Sequence, residues 1–452
     1  MKRVLTIAGS DSGGGAGIQA DLKAITLLGG YGMSALTSLT AQNTVGIQAI
    51  QEVAAPFVGD QIDSVLSDIG ADAIKTGMLA NREIVEVVSK KIRQYRVRKV
   101  VVDPVMVSKS GALLLRKDAQ DAFIKRIVPL AWVVTPNLPE ASVLIGSRVD
   151  SVEGMKKAAQ QLYRMGAKHV VVKGGHLKGA AIDLLYDGRK FVEFPGSRID
   201  TKNTHGTGCT FASAMATLLA GGDAVAEAVR KAKIFTAMAI QSGFNLGKGN
   251  GPTQPAAYVL REMERYRVIQ ELKKAVEILK EEKIGGLIPE VSSNLGFALP
   301  QAEGIEDIAA FPGRMVRFRN SLATLGDPEF GASKHIAQII LTMMKFDPEY
   351  GSAMNIRYSR EKVALFRKKG FLVGRFDRGL EPRGIKAGEG SSLERGIETL
   401  LGKIGRVPDM VYDLGDVGKE PMIGVLGRNP KEVVAKILKA VGSRKERVGS
   451  RQ

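Results

Sequence analysis

The sequence predicts an α/β fold in which a doubly wound, mostly parallel sheet is followed by a second, smaller α/β domain. Over about the first 250 residues, short β-branched runs alternate with amphipathic helical segments, a pattern typical of parallel strands with helical crossovers. Near-continuous apolar runs such as Val100-Val101-Val102 suit strands buried on both faces of a sheet. The chain of 452 residues is also too long for one ordinary core, so two or three domains are expected.

Each predicted element of the first domain rests on this alternation of apolar runs and helical periodicity. The predicted strands cover residues 3–8, 73–76, 99–103, 132–135, 169–173 and 181–186. The predicted helices cover residues 18–28, 57–67, 82–95 and 152–165, and further helices continue to about residue 265.

A charged helical stretch over residues 262–284 precedes the second domain, and its apolar stripe consists of Val268, Leu272, Val276 and Leu279. We expect residues 1–262 to form the first domain, 263–286 a helical linker or the first helix of the second domain, 287–441 the second domain and 442–452 a solvated tail. Within the second domain, strands are predicted at 314–319, 371–376 and 410–413, and helices at 333–344 and 431–441.

Composition favours a cytoplasmic protein without a membrane span. No apolar run reaches the length of about 18 residues that a membrane helix needs, and the first apolar segment stops at Gly9, too early for a signal peptide. One cysteine excludes an internal disulfide framework and a multi-cysteine metal site. The net charge of +18 is spread over both halves, so anionic substrates explain it as well as nucleic acid does.

The most informative stretch is Asn-Thr-His-Gly-Thr-Gly-Cys-Thr at residues 203–210, which runs into a helical segment of small residues. Gly206, Thr207 and Gly208 would present successive backbone N–H groups at the positive end of that helix. Such a hole suits a phosphoryl group in transfer, and Cys209 lies at its mouth. The stretch therefore favours a phosphotransferase.

Four further features fall where an α/β sheet binds ligands, at the carboxyl ends of its strands. A glycine-rich loop follows the first strand, and Asp103 and Lys173 each end a later strand. Asn137 and Glu140, three residues apart at the start of a helix, offer oxygen ligands for Mg²⁺. The same spacing also fits a helix capping box, and the glycine-rich loop also fits a flexible turn.

Taken together, these motifs resemble the hydroxymethylpyrimidine/phosphomethylpyrimidine kinases of thiamine synthesis, members of the ribokinase-like superfamily. The resemblance covers residues 1 to about 260 and rests on Gly-Ser-Asp-Ser-Gly-Gly-Gly-Ala-Gly-Ile-Gln-Ala-Asp (9–21), Thr-Ala-Gln-Asn-Thr (40–44), Asp-Pro-Val-Met-Val-Ser-Lys-Ser-Gly (103–111), Thr-Pro-Asn-Leu-Pro-Glu-Ala (135–141), Val-Lys-Gly-Gly-His (172–176) and the stretch 203–210. It implies two ATP-dependent phosphorylations, of the pyrimidine alcohol to its monophosphate and then to its diphosphate. It also implies a homodimer.

The resemblance assigns roles to matching positions. Gln42 would hydrogen-bond the aminopyrimidine, surrounded by Gly9, Asp21, Met78 and Val105. Lys173 would hold the ATP phosphates, while Asp103, Asn137 and Glu140 would organise Mg²⁺. The anion hole would consist of Gly206, Thr207 and Gly208.

Cys209 stands where most of the superfamily has a catalytic aspartate. We expect the anion-favouring loop to lower the pKa of its thiol, so that the thiolate serves as the base for the first phosphorylation. The alternative is a small buried apolar residue without a chemical role.

The second domain resembles the non-TIM-barrel thiamine-phosphate synthase domain that is often fused behind this kinase. The matching stretches are Glu-Val-Ser-Ser-Asn-Leu (290–295), Phe-Pro-Gly-Arg (311–314), Phe-Gly-Ala-Ser-Lys-His (330–335), Met-Asn-Ile-Arg-Tyr (354–358) and Asp-Met-Val-Tyr-Asp-Leu-Gly-Asp-Val-Gly-Lys-Glu-Pro (409–421). The resemblance implies that the pyrimidine diphosphate is joined to a thiazole phosphate with release of pyrophosphate.

Such a condensation needs cationic help for its leaving group. Arg314 would neutralise pyrophosphate, and His335 would donate to a phosphate or move a proton. Asn294, Asn355 and Arg357 would support the substrates, and Asp413 and Asp416 are candidate Mg²⁺ ligands. Taken singly, each also fits an ordinary surface or capping residue.

Three rival interpretations remain open from the sequence. The second domain could sense thiamine phosphate in place of making it, although no helix-turn-helix pattern accompanies it. The first domain could be a vitamin B6 kinase, since related kinases accept pyridoxal-like alcohols. A basic nucleic-acid-binding protein would show salt-sensitive DNA binding, which a kinase does not require.

Overall fold

A computed structural model describes residues 1–106, 114–177, 179, 181–376, 391–415 and 420–442. It divides into two units, Met1–Leu260 and Arg261–Gln452. Residues 107–111 of one kinase-like motif, Asp416 and most of the expected tail lie outside the described residues.

The first unit is built on a nine-stranded sheet, as far as the described residues show. Its strands are β1 (Lys2–Asp11), β2 (Gly30–Gln42), β3 (Ile47–Glu52), β4 (Ala73–Thr76), β5 (Val100–Val102), β6 (Val133–Val134), β7 (Val170–Val172), β8 (Asp183–Tyr186) and β9 (Phe191–Phe194). They lie in the order β3-β2-β1-β4-β5-β6-β7-β8-β9. The pairs from β2 to β7 are parallel, and β3, β8 and β9 join antiparallel at the two edges. The predicted doubly wound, mostly parallel sheet is confirmed.

Helices cover both faces of this sheet. They are α1 (Gly17–Leu27), α2 (Ala55–Asp68), α3 (Arg82–Tyr95), α4 (Lys117–Arg126), α5 (Leu138–Ile145), α6 (Val152–Arg164), α7 (Thr207–Ala220) and α8 (Val225–Gln241). Val100 and Val102 pack with α2, α3, α4 and α6, whereas Val101 packs with α1, α7 and α8. Successive strand residues thus face opposite helical layers, which explains why the central strands are apolar throughout.

Local capping sets where several helices begin. Asn81 accepts a hydrogen bond from the N–H of Ile84 at the start of α3, and Ser151 accepts one from Gly154 at the start of α6. Both helices then bury one apolar side, which the sequence periodicity predicted.

Strand β2 was not predicted, and its glycines explain why. A Cβ at Gly32 would lie 2.8 Å from Leu22 Cδ2 of α1, so close packing of the helix requires a glycine inside the strand. The residues that let α1 approach therefore interrupt the apolar pattern. The sequence also missed the two edge strands, β3 and β9, and helix α4.

Helix α9 (Ala257–Glu281) begins in the first unit and continues into the second. The predicted stripe of Val268, Leu272, Val276 and Leu279 is almost completely buried in a core of the second unit. This part of the helix therefore packs as an element of the second unit.

The second unit contains a seven-stranded sheet within its described residues. Its elements are β10 (Leu295–Ala298), β11 (Ile308–Ala310), β12 (Met315–Phe318), β13 (Ser321–Thr324), β14 (Glu329–Phe330), α10 (Lys334–Met344), β15 (Ser352–Arg357), α11 (Arg360–Lys368), β16 (Val373–Arg375), α12 (Ser391–Ile404), β17 (Met410–Tyr412), β18 (Met422–Gly427) and α13 (Pro430–Val441). The sheet order is β14-β11-β10-β15-β18-β17-β16, and β12 and β13 form a separate hairpin. Its pairs are antiparallel except β16 with β17. A second, smaller α/β domain is confirmed.

Candidate active site

A cleft of about 170 Å³ opens at the carboxyl ends of the parallel strands of the first unit. Strand order reverses at β1, with β2 on one side and β4 on the other, so the cleft lies at a topological switch point. Twelve predicted site residues line it: Gly9, Gln42, Met78, Asp103, Val105, Asn137, Glu140, Lys173, Gly206, Thr207, Gly208 and Cys209.

Helix α7 begins at the wall of this cleft. Its N-cap, Gly206, has φ of 83°, and a Cβ there would lie 1.8 Å from the carbonyl oxygen of Gly15. Only glycine fits this close approach between the two glycine-containing loops. The next glycine, Gly208, faces a cation and an anion, since its Cβ would lie 3.4 Å from Lys173 Nζ and 3.5 Å from Asp103 Oδ2.

A second helix N-terminus meets the first at Cys209. Gly17, the first residue of α1, has φ of 56°, and a Cβ on it would lie 2.4 Å from the carbonyl oxygen of Gly9. Its backbone N–H lies close enough to the sulfur of Cys209 to favour the thiolate. The positive ends of α1 and α7 therefore both point toward this side chain.

The expected lowering of the Cys209 pKa is wrong for this site. Burial raises the pKa of the thiol to about 12, although Lys75 opposes the shift, and the carboxylates of Asp21 and Asp103 raise it further. Removal of water from the sulfur outweighs the favourable helix ends. Cys209 is therefore a neutral thiol at neutral pH.

Lys173 and Asp103 form an ion pair, with 3.2 Å between Nζ and Oδ1. Burial favours the neutral lysine, but Asp103 and Glu140 outweigh burial and raise the pKa of Lys173. The ammonium charge therefore persists inside the cleft.

Asn137 and Glu140 form the capping box that the sequence left as an alternative. Asn137 Oδ1 accepts from the N–H of Glu140 at 2.9 Å, and Glu140 Oε2 accepts from the N–H of Asn137 at 2.8 Å. Burial raises the pKa of Glu140 to about 7, Lys173 lowers it and Asp103 raises it. Both residues also line the cleft, so capping and ligand binding are compatible here.

The carboxylates of Asp103 and Glu140 suit a hard divalent cation. Two like-charged groups repel each other in one partly dry cleft, and a cation between them would relieve that repulsion. No group of three or more metal-binding side chains was found among the described residues. Mg²⁺ fits such a sparse donor set, because it retains waters and binds substrate phosphates.

His205 also lines the cleft, and no role was predicted for it although it lies within the motif at residues 203–210. Its Nε2 lies 2.8 Å from Asp11 Oδ2 and 3.2 Å from Gln42 Nε2. Burial would raise the pKa of Asp11, but bonds from His205 and from backbone N–H groups hold it below its ordinary value. Asp11 also accepts from the N–H groups of Gly13, Gly15 and Ala16, so it fixes the glycine-rich loop.

Asp21 does not line the cleft, which corrects its expected place around the pyrimidine. It is fully buried behind the cleft, where Oδ2 accepts from Thr6 at 2.6 Å and from Lys75 at 2.8 Å. Its Oδ1 accepts from Ser213 of α7 at 2.7 Å. Lys75, which the sequence analysis missed, does contribute to the cleft floor. A lysine inside the apolar strand β4 is the signal that could have revealed it.

In the second unit, Asn294 and Asn355 serve the backbone, contrary to their expected role in binding substrate. Asn294 Oδ1 accepts from the N–H groups of Leu295 and Phe311, and its Nδ2 donates to the carbonyl of Phe311. Asn355 Oδ1 accepts from the N–H of Asn294 at 2.7 Å, and its Nδ2 donates to the carbonyl of Ser292. Both side chains are more than nine-tenths buried.

Arg314 and Arg357 are exposed. Arg314 has φ of 68°, a conformation that costs a non-glycine residue energy, and its guanidinium donates to the carbonyl of Val291. Asp413, half of the candidate metal pair, is buried and accepts from the N–H of Gly415 at 2.8 Å.

His335 lies in the first turn of α10, whose N-cap position is Ser333. Ser333 makes no side-chain capping bond there. Arg314 follows the carboxyl end of β11, whereas Gly331, just before α10, donates its N–H to Ile308 at the other end of that strand. The segment that bears Arg314 therefore leaves the carboxyl end of β11, whereas the segment that precedes His335 contacts the amino end of the same strand.

A family model described as phosphomethylpyrimidine kinase matches residues 11–254, more than half of the chain. The chain belongs to the phosphomethylpyrimidine kinase family. A second model, described as thiamine-phosphate synthase ThiN, matches residues 271–439. This phosphomethylpyrimidine kinase family member is thus a fusion with a thiamine-phosphate synthase domain, as the sequence motifs predicted.

Known relatives agree with this assignment. The kinase part is 54% identical over 250 residues to the thiamine biosynthesis bifunctional protein ThiED of Geobacter sulfurreducens, covering 55% of this chain and 51% of that protein. The chain thus spans about half the length of that relative. It is 45% identical over 258 residues to the hydroxymethylpyrimidine/phosphomethylpyrimidine kinase of Bacillus subtilis, covering 57% of this chain and 95% of that one.

Among solved structures, the ADP complex of Bacillus subtilis pyridoxal kinase matches with a TM-score of 0.55 and 42% identity, covering 57% of this chain and 99% of that chain. The ribokinase-like fold is confirmed. The two family models favour neither a vitamin B6 kinase nor a sensor. No helix in the described part of the chain is long and apolar enough to span a membrane.

Proposed function

We propose that this protein phosphorylates 4-amino-5-hydroxymethyl-2-methylpyrimidine twice with ATP and then condenses the diphosphate with a thiazole phosphate to give thiamine phosphate. The observation that supports the kinase steps most directly is the N-terminus of α7. Its first residues, which include Cys209, face the Lys173–Asp103 pair within one cleft. Backbone N–H groups and a half-buried ammonium together suit a phosphoryl group in transfer.

The pyrimidine would lie at the end of the cleft that holds Gln42, Gly9, Met78 and Val105. The Gln42 amide supplies both a donor and an acceptor, which match the amino group and ring nitrogen of an aminopyrimidine. Gly9 lets the backbone approach Ser38 and Met78 closely at this end of the cleft, since a Cβ on it would lie 2.7 Å from Ser38 Oγ and 3.3 Å from Met78 Sδ. A hydroxymethyl group held here would point toward Cys209.

The nucleotide end would hold the ATP phosphates with Lys173 and the α7 N–H groups, with Asn137 nearby on the helix cap. Asp103 and Glu140 would hold Mg²⁺ through water, and the ion would neutralise phosphate charge. Lys173 keeps its charge at neutral pH, so it can attract the terminal phosphate.

In the first step, the substrate hydroxyl oxygen forms a bond with the γ-phosphorus, the bond to the β,γ-bridging oxygen breaks, and ADP leaves. The hydroxyl proton would pass to ionised Cys209, which is a strong but scarce base because its pKa is about 12. A scarce base is tolerable because phosphoryl transfer depends mostly on positioning and charge stabilisation. In the second step the attacking phosphate oxygen is already anionic and needs no base.

This difference predicts the behaviour of Cys209→Ala. Alcohol phosphorylation should fall about 100-fold, at the low end of what general bases contribute, because the wild-type base is scarce. Phosphorylation of the monophosphate should change little. Separate time courses that start from the alcohol and from the monophosphate measure the two steps, and equal losses in both would remove Cys209 as the base.

The condensation would use the second unit, with Arg314 neutralising pyrophosphate and His335 moving a proton or binding phosphate. Exposed Arg314 and Arg357 can contact anionic substrates, whereas Asn294 and Asn355 would position the loop that bears Val291 and Ser292. Mg²⁺ on pyrophosphate would complete the neutralisation, with Asp413 as a candidate ligand.

The overall test supplies purified protein with the pyrimidine alcohol, thiazole phosphate, ATP and Mg²⁺, and measures thiamine phosphate. Formation of thiamine phosphate supports both activities, and His335→Ala should stop the reaction at the diphosphate. Accumulation of diphosphate by the wild-type protein would instead favour a sensing second domain. Absence of any phosphorylated pyrimidine would reject the kinase.

We also propose a cytoplasmic homodimer. A single cysteine among 452 residues suits a reducing compartment, and ATP is available there. The ribokinase-like superfamily supports the dimer. Light scattering of the full chain in solution measures its mass directly.

A further inference from the structure

A second lysine–aspartate pair lies beneath the floor of the cleft, in addition to Lys173 with Asp103. Lys75 of β4 is fully buried, and its Nζ donates to Asp21 Oδ2 at 2.8 Å. Burying a lysine costs several kcal/mol unless a partner of opposite charge compensates it, and Asp21 is that partner here.

The surroundings of Lys75 are built to hold its ammonium in place. Asp21 is itself fixed by Thr6 of β1 and Ser213 of α7, so it cannot follow a moving lysine. Gly77 provides the space, because a Cβ on it would lie 2.7 Å from Lys75 Nζ. The charge therefore has one position beneath the cleft.

That position lies next to the face of α7 that carries Cys209, because Asp21 also accepts from Ser213 at 2.7 Å, one helical turn after Cys209, and Lys75 and Cys209 both line the cleft. Lys75 is the main group that favours the ionised sulfur, with the N–H of Gly17 assisting, while Asp21 and Asp103 oppose it. In return, Cys209, Asp21 and Asp103 all favour the charged lysine. Lys173 also interacts with the sulfur, from the other wall of the cleft.

We propose that Lys75 is a positioning residue of the kinase site: its ammonium, held by Asp21 beneath the cleft floor, stabilises negative charge on the sulfur of Cys209. Its effect on alcohol phosphorylation rests on the proposed function. Its effect on the sulfur does not, because it needs no substrate.

Cys209 is the only cysteine in the sequence, so thiol alkylation reports on this residue alone. The thiolate is the species that reacts with iodoacetamide. Lys75→Gln keeps a donor for Asp21 but removes the charge, and Lys75→Met removes both. We expect each to slow alkylation at least about tenfold at fixed pH, which corresponds to raising the Cys209 pKa by one unit.

The double variant Lys75→Met/Asp21→Asn guards against failure to fold, since it leaves no unpaired buried carboxylate. Asp21 opposes the thiolate less strongly than Lys75 favours it. The double variant should therefore react more slowly than wild type but faster than Lys75→Met. A purely structural role predicts the reverse for the single variants, because a loosened site exposes the sulfur and speeds alkylation.

Lys23→Gln is the matched control, since Lys23 is an exposed lysine of α1 that donates to the carbonyl of Gly14. Its alkylation rate should equal that of wild type. Alkylation of folded Lys75→Gln at or above the wild-type rate from pH 7 to 10 would overturn the proposal, with folding verified by circular dichroism.

Activity measurements separate this inference from the proposed function. In Lys75→Gln, alcohol phosphorylation should fall more than phosphorylation of the monophosphate. If wild-type protein phosphorylates neither compound but alkylation is slower in the Lys75 variants than in wild type, the proposed function fails and the effect of Lys75 on Cys209 stands. If wild-type protein is active but the Lys75 variants are alkylated at least as fast as wild type, the inference about Lys75 is rejected.

Discussion

Single residues in this cleft combine structural and chemical demands that pull in opposite directions. Cys209 lies at two helix N-termini that favour a thiolate, yet burial raises its pKa to about 12. Glu140 caps α5 while burial raises its pKa to about 7. At neutral pH the neutral Cys209 thiol costs no folding free energy, whereas ionised Glu140 does, and such perturbed groups are common at functional sites.

Glu140→Gln should make this cost measurable. The folded-state pKa of Glu140 lies above its ordinary value, so the folded protein binds more protons and loses stability as pH rises from about 4.5 to about 7. A glutamine avoids that loss and still accepts the capping bond from Asn137. The free energy of unfolding of the kinase unit should rise by up to about 3 kcal/mol at pH 8 and barely change at pH 4.5.

Urea denaturation at pH 4.5 and pH 8 measures this change in the free energy of unfolding. In the same variant, the Mg²⁺ concentration that half-saturates the kinase should increase. Glu153→Gln is the control, because Glu153 is an exposed residue in the first turn of α6 and its loss should change stability by less than about 0.5 kcal/mol. Equal stability gains at pH 4.5 and 8 would contradict the assignment.

The sequence was sufficient to locate most cleft residues but not their ionisation. Asp103, Lys173 and Cys209 follow from motifs at strand ends, because parallel strands bring those ends together. Lys75 and His205 escaped because their importance depends on distant partners, Asp21 and Asp11. The Cys209 pKa depends on burial, which a linear pattern does not contain.

At the scale of elements, two loops and the first turns of α1 and α7 depend on one pair of close backbone contacts, which we call the interlock. Gly206 before α7 packs against the carbonyl of Gly15, and Gly17 at the start of α1 packs against the carbonyl of Gly9. Both contacts require a missing Cβ, and both glycines have positive φ. The glycine-rich motif therefore packs the two loops together, which excludes the flexible-turn alternative.

Gly206→Ala should separate the loops and disable phosphorylation. A Cβ 1.8 Å from the Gly15 carbonyl forces one loop to move, in addition to the roughly 1–2 kcal/mol cost of a positive φ. Gly146→Ala is a matched control, since Gly146 has φ of 68° at the end of α5 and nothing lies within 4 Å of its Cβ position. We expect Gly146→Ala to retain activity and to lower the melting temperature of the kinase unit only slightly. Gly206→Ala should lower that melting temperature much more. Kinase assays and calorimetry decide, and equal effects of the two changes would refute the interlock.

Regular elements were predictable where one physical rule dominated. The amphipathic periodicity of α3 and α6 predicted both helices almost to the residue. In the second unit, β15 and β18 were missed because Asn355, Gly424 and Gly427 interrupt their apolar runs. Asn355 is tolerated there because it bonds the backbone of Asn294, a contact between segments 61 residues apart.

At the scale of the whole molecule, the chain has separate hydrophobic cores for its two units. The first unit packs two layers of helices on its nine-stranded sheet, and the second packs α9, α11 and α13 on one face of its own sheet and α10 and α12 on the other. The proposed activities are consecutive, since the diphosphate formed by one unit is the substrate of the other. Fusion therefore produces the two catalysts in equal amounts.

Separate cores predict that damage to one unit spares the other. Phe366 of α11 is fully buried in the second unit, and Phe123 of α4 is almost fully buried in the first. Each change to alanine should cost its own unit about 3–5 kcal/mol. In calorimetry of the full chain, Phe366→Ala should lower the melting temperature of only one of two transitions, and Phe123→Ala that of the other. In activity assays, Phe366→Ala should let pyrimidine diphosphate accumulate without thiamine phosphate, whereas Phe123→Ala should stop phosphorylation. A single transition that both substitutions lower equally would show that the two cores unfold as one.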